Sequence, residues 1–277
     1  MKEVVCRFGR DLHLAGVATL PDPARADARA PLVLMLNAGL LHRVGPHRIS
    51  VVLARKLAEA GIASFRFDIG GRGDSETGTD AGGDEQQAQA DILDAMDFAS
   101  RRFQVDRFVT FGLCSGADRG HAMALNDARI VGGILLDGHG FRTTGYYFKH
   151  YLPRLLRVSV WLNLLKRKLA REPADDVVAE LNQRRPFGAR EVVARELQTL
   201  VDRGARMLYV YTGGVSQEYY NYGGQFWDMF RELEPRGRIA VEYFPESDHT
   251  FTHAGDRGKM LNTVANWMRV NFQGAAG

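Results

Sequence analysis

Only two cysteines, Cys6 and Cys114, occur in 277 residues. They are far apart, form no Cys-x-x-Cys pair and make no disulfide ladder, which excludes a stapled secreted scaffold and a cysteine-ligated metal centre. No apolar run is long enough to cross a bilayer, so no transmembrane segment is expected. The opening stretch, "MKEVVCRFGRDLHLAGVATL", is charged throughout and lacks the apolar block of a signal peptide, so the expected location is cytoplasmic, with reduced thiols. An excess of one charge is missing too: a net +3 is too little to argue for nucleic acid, and no nucleic-acid partner is expected. Internal repeats and low-complexity tracts are also missing, and no grouping of residues calls for a metal or a cofactor.

What is present is an ordinary globular composition, 45% hydrophobic and 25% charged, enough to bury one core without crosslinks. The first twenty residues alternate apolar and polar around "GRD", which predicts an antiparallel hairpin at a sheet edge. After the connector "PDPARADARAP" a regular rhythm begins: strand "LVLML", helix "ISVVLARKLAEAG", strand "IASFRF", helix "EQQAQADILDAMDFASRRF", strand "RFVTFG", helix from Ser115 to Leu125, strand "IVGGILL". Short apolar strands separated by amphipathic helices predict an α/β fold with a mostly parallel sheet covered by helices on both faces. The rhythm breaks after Asp137 and resumes at "RMLYVYTGG", followed by a helix around "QFWDMFREL", strand "RIAVEYF" and helix "KMLNTVANWMRVNF". The expected organisation is a core over 1–139, a helical cap or lid over 140–200 and the rest of the core over 201–277.

Four stretches carry chemistry. "GLCSG" joins a strand to a helix through a tight Gly-flanked turn, the setting of a nucleophile elbow, with Cys114 at its centre and Ser115 one place later. "NAGLLHRVGPHR" follows the first parallel strand, with Arg43, His47 and Arg48 crowded into it. "RFDIGGRGDS" ends the next strand with glycines whose spacing fits neither a Walker loop nor Gly-x-Gly-x-x-Gly, so it reads as scaffold. "FPESDHTF" puts His249 on the loop before the last helix, with His139 and His253 as competing histidines.

With "LNAGLLHRVGPHR", "RFDIGGRGDS", "GLCSGAD" and "ESDHTF" together, the chain resembles an α/β-hydrolase, and within that superfamily the serine-aminopeptidase-like branch that includes exosortase-system-associated hydrolases. The likeness spans nearly the whole chain except the inserted segment. It implies Cys114 as nucleophile, His249 as base, and the backbone amides of Leu40 and Ser115 as the oxyanion hole. A helix starting at Ser115 favours a thiolate at Cys114. The expected acid is Glu218, the one carboxylate in the loop after "LYVYTGG", with Asp137, at the end of the preceding strand, as the alternative. Arg43 and His47 are candidates for binding an anionic part of the substrate.

A cysteine nucleophile exchanges one thioester for another at little net cost, which makes thioesters its natural donors. The expected function is an acyl-thioester hydrolase or acyltransferase with an acyl-cysteine intermediate. Its substrate would be an acyl group, carried as a pantetheine thioester on CoA or on an acidic carrier protein. The basic run Lys149, Arg154, Arg157, Lys166, Arg167, Lys168 and Arg171 suits such a partner, or a solvated lid face. Tyr146, Tyr147, Phe148, Tyr219 and Tyr220 suit either a bulky apolar substrate or the core. The alternatives are a carboxylesterase or dienelactone-hydrolase-like enzyme acting on oxygen esters, Ser115 as nucleophile in a shifted elbow, and a catalytically silent hydrolase fold that binds a partner through its basic segment.

Overall fold

The computed structural model describes residues 1–78, 84–155 and 188–273, with side chains left out at 153–155. Eight strands form one sheet in the order β1-β2-β4-β3-β5-β6-β7-β8. β1 (Lys2–Phe8) and β2 (Leu14–Leu20) make the expected antiparallel hairpin, and β2 runs antiparallel to β4 (Ser64–Phe67). From β4 onward every pairing is parallel, through β3 (Leu32–Met35), β5 (Phe108–Leu113), β6 (Ile130–Leu136), β7 (Arg206–Thr212) and β8 (Ile239–Phe244).

Strand side chains alternate between two faces, and each face has its own helical cover. Leu32, Leu34, Phe65, Phe67 and Phe108 point into one cluster with α2 (Asp84–Phe103), α3 (Ser115–Asn126) and α5 (Arg190–Asp202). Val33, Met35, Val109, Phe111 and Leu113 point the other way, onto α1 (Ile49–Glu59) and α7 (Ala254–Phe272), which also touch each other. Burying one such Phe or Leu side chain stabilises the fold by roughly 1.5–3 kcal/mol. Because a parallel strand buried on both faces has no polar face to show, β3 and β5 read as unbroken apolar runs.

Of the segment 140–200, α4 (Thr144–Leu155) and α5 are described. α5 buries Val193, Leu197 and Leu200 in the core and packs against α3, so it belongs to the helical layer over the sheet. Residues 156–187 lie outside the described residues, and with them Arg157, Lys166, Arg167, Lys168 and Arg171 of the basic run. Lys149 sits over the Tyr222 ring at 5.7 Å. Tyr146, Tyr219 and Tyr220 are core residues, whereas Tyr147 and Phe148 on α4 are exposed. No described helix is long and apolar enough to cross a membrane.

Candidate active site

The turn between β5 and α3 is built by close approach. A side chain at Gly112 would lie 2.2 Å from the Gly116 carbonyl, and one at Gly116 would lie 2.7 Å from the Asn37 carbonyl. Two glycines therefore let the strand end, the helix start and the loop after β3 meet at one point. Between them Cys114 has φ 57° and ψ −123°. A non-glycine residue held there costs on the order of 1–3 kcal/mol, a strain that packing must sustain. The Cys114 amide donates to Leu136 O at 2.9 Å, and its carbonyl accepts from the amides of Ala117 (2.9 Å) and Asp118 (3.2 Å). The backbone is thus held on both sides, with the thiol partly exposed.

His249 stands on the loop between β8 and α7. Its Nδ1 donates to Asp137 Oδ2 at 2.7 Å, and the imidazole is also hydrogen-bonded to Cys114. With Nδ1 committed to the carboxylate, Nε2 is the nitrogen left for sulfur. Burial works to lower the imidazole pKa, but the hydrogen bonds and charges of Asp137 and Cys114 outweigh it and push it up to about 10. The loop is fixed by Asp248, whose carboxylate accepts from the Thr250 amide (2.8 Å), the Thr252 amide (3.0 Å) and both threonine hydroxyls. Partial burial opposes ionisation of Asp248, yet these donors hold its pKa at about 2.

The carboxylate on His249 is Asp137 rather than Glu218. Asp137 directly follows β6, has 0% exposure, and accepts from the Thr212 amide (2.8 Å) and hydroxyl (2.6 Å). Its carbonyl accepts from the Tyr219 hydroxyl at 3.0 Å. Glu218 is exposed, and its carbonyl accepts from Arg142 Nε at 2.7 Å. Thr212, at the end of β7, and Tyr219, in the loop after it, thus support Asp137, and that loop does not supply the carboxylate on His249. A lone Asp directly after an apolar strand was the sequence signal for this role; which of two nearby carboxylates reaches His249 depends on how the loops cross.

On the oxyanion side, Leu40 is 83% exposed, and the neighbouring Gly39 amide donates to Ser115 Oγ at 2.8 Å. Asn37 anchors this loop, donating to Leu41 O (2.7 Å) and Asp68 Oδ1 (3.0 Å) and accepting from the Ile69 amide (2.9 Å).

Arg43 is not free to meet a substrate. Its guanidinium pairs with Asp68 and with Asp74 (2.6 Å) and lies 2.8 Å from His42 Nε2. His42, Asp68 and Asp74 bring three potential ligand atoms close enough for a metal ion, but the Arg43 guanidinium already pairs with both carboxylates, so a cation there would have to displace it. His47 takes up the Thr252 hydroxyl at 3.1 Å and so ties this loop to the His249 loop. The competing histidines sit elsewhere: His253 is exposed beside Asp256 at the start of α7, and His139 packs its ring 4.8 Å from that of His121.

Strand order, parallel pairing, a strained turn between β5 and α3, and a histidine loop after β8 together define an α/β-hydrolase fold, a mostly parallel sheet flanked by helices. Solved structures with this fold are similar along nearly the whole chain. Est1E from Butyrivibrio proteoclasticus superposes with a TM-score of 0.59 at 14% identity, over 96% of this chain and 98% of that one. A proline iminopeptidase from Mycobacterium smegmatis gives 0.56 at 17% identity, over 98% of both chains. A dienelactone hydrolase from Anabaena variabilis gives 0.55 at 12% identity, over 94% of this chain and 93% of that one. No protein-family model matches the chain, and no curated relative matches it by sequence.

Proposed function

We propose that this protein is an acyl-transfer enzyme of the hydrolase type, in which Cys114 is the nucleophile, His249 the proton carrier and Asp137 the group that orients it. The observation that carries this reading is the continuous contact from Asp137 Oδ2 through His249 Nδ1 to the thiol of the strained elbow residue. A buried carboxylate, an imidazole and a thiol in that order are what an activated sulfur nucleophile requires.

The thiolate attacks an acyl carbon, forming a carbon–sulfur bond and an oxyanion. When the intermediate collapses, the leaving group departs with a proton from the His249 imidazolium. Acylation removes the charge from sulfur, and with it part of what holds the imidazole pKa near 10. The neutral imidazole then accepts a proton from water, or from an amine or alcohol, as that acceptor attacks the acyl-Cys114 thioester and releases the acyl product. Thioesters are the donors that fit best, since thioester exchange is nearly balanced in free energy; a pantetheine thioester on CoA or an acidic carrier protein is the partner class proposed.

Oxygen esters are the second reading. A His249 imidazolium held by the buried Asp137 carboxylate can protonate an alkoxide, the poorer leaving group, which a thioester does not demand.

The test is intact mass after brief exposure to acyl-pantetheine thioesters and, in parallel, to aryl and alkyl esters. An acyl adduct on the wild type that is lost in Cys114→Ala supports the thiol mechanism, and the faster donor class identifies the substrate. Turnover that survives Cys114→Ala and is lost in Ser115→Ala would return the role to serine.

A further inference from the structure

The mechanism uses Ser115 only through its backbone, but its hydroxyl occupies a telling position. The Gly39 N–H donates to Ser115 Oγ at 2.8 Å. An acceptor at that distance along the N–H is where a substrate oxygen served directly by the Gly39 amide would have to lie. The hydroxyl oxygen holds that place, so Gly39 serves Ser115 and not the substrate. A hydroxyl that accepts a hydrogen bond keeps its own hydrogen to donate. Ser115 is next to Cys114, both are partly exposed, and Gly39 is exposed, so this hydroxyl sits at the open mouth of the elbow.

We propose that the Ser115 hydroxyl is itself an oxyanion-hole donor: Gly39 N–H orients and polarises the oxygen, and Ser115 O–H donates to the oxygen that becomes negative when Cys114 is acylated. The proton stays on serine; only a hydrogen bond is added, and a hydroxyl that is already accepting is a stronger donor. The proposal rests on Cys114 being the nucleophile.

Two reactions at the same sulfur separate the possibilities. Acylation by butyryl-pantetheine builds an oxyanion, whereas alkylation by iodoacetamide does not, and both are followed by intact mass against time in the wild type, Cys114→Ala, Ser115→Ala and Ser115→Thr. The expected result is acylation about 10²-fold slower in Ser115→Ala, with alkylation unchanged and most of the acylation rate regained in Ser115→Thr. Wild-type or faster acylation in Ser115→Ala overturns the proposal, because the freed Gly39 amide would then be the true donor. Equal slowing of both reactions overturns it as well, leaving Ser115 a scaffold for the turn. A wild type that takes up no acyl group under any condition, as in Cys114→Ala, overturns the nucleophile assignment and this proposal with it.

Discussion

Asp68 follows β4 and Asp137 follows β6, each at the carboxyl end of a parallel strand and each with 0% of its surface exposed. Both accept hydrogen bonds from neighbouring loops: Asp68 from Asn37 and the Asp74 amide, Asp137 from Thr212. They differ in the cation that balances them. Asp68 has Arg43, which never gives up its proton, so the pair acts as a strut holding the loop after β3. Asp137 has His249, whose charge depends on pH and on the state of Cys114. The same burial problem solved with a permanent cation yields scaffold, and solved with a titratable one yields the pair to which the proposed mechanism gives the protons.

Removing the sulfur tests the second solution most severely. Cys114→Ala is expected to lower turnover on the order of 10⁶-fold while leaving the urea midpoint nearly unchanged. Asp137→Asn should cost on the order of 10⁴-fold in kcat, because the amide no longer fixes the imidazole tautomer. The His249 titration followed by NMR should at the same time fall well below about 10.

The strut should answer differently. Asp68→Asn leaves Arg43 buried with one acidic partner fewer and is expected to cost about 3–5 kcal/mol in urea unfolding, with much less effect on Cys114 alkylation. A smaller difference lies in pH dependence. The folded pKa of His249 is raised to about 10 from 6.5, so its stabilising contribution is complete below pH 6.5 and fades as pH rises through 10. Unfolding midpoints between pH 6 and 10 should therefore decline more steeply in the wild type than in Asp137→Asn. Glu218→Gln should change neither turnover nor stability appreciably; a large loss of turnover would give the acid role back to that loop.

The fold was legible because β3, β5 and β6 are short, largely apolar runs closed by turn residues, and this fixes layer order with little help from distant contacts. Cys114 and His249 were legible for a related reason, since each sits where a strand ends and a helix is about to start. The acid was not: Asp137 and Glu218 both follow strands, and only the crossing of the β6 and β7 loops, with Tyr219 and Thr212 turned onto Asp137, separates them. Arg43 looked available because sequence displays its charge and hides its partners; Asp68 lies 25 residues away.

The junction at Gly112, Gly116 and Asn37 has a consequence for how such a protein can change over generations. Cys114 is held where three backbones touch without room for a side chain, so its position does not depend on the lengths of the loops around the rim. Insertions after β6, or a wholly different cap, leave that point where it was. The periphery is therefore free to drift while the thiol stays put, and the two are inherited separately along one chain.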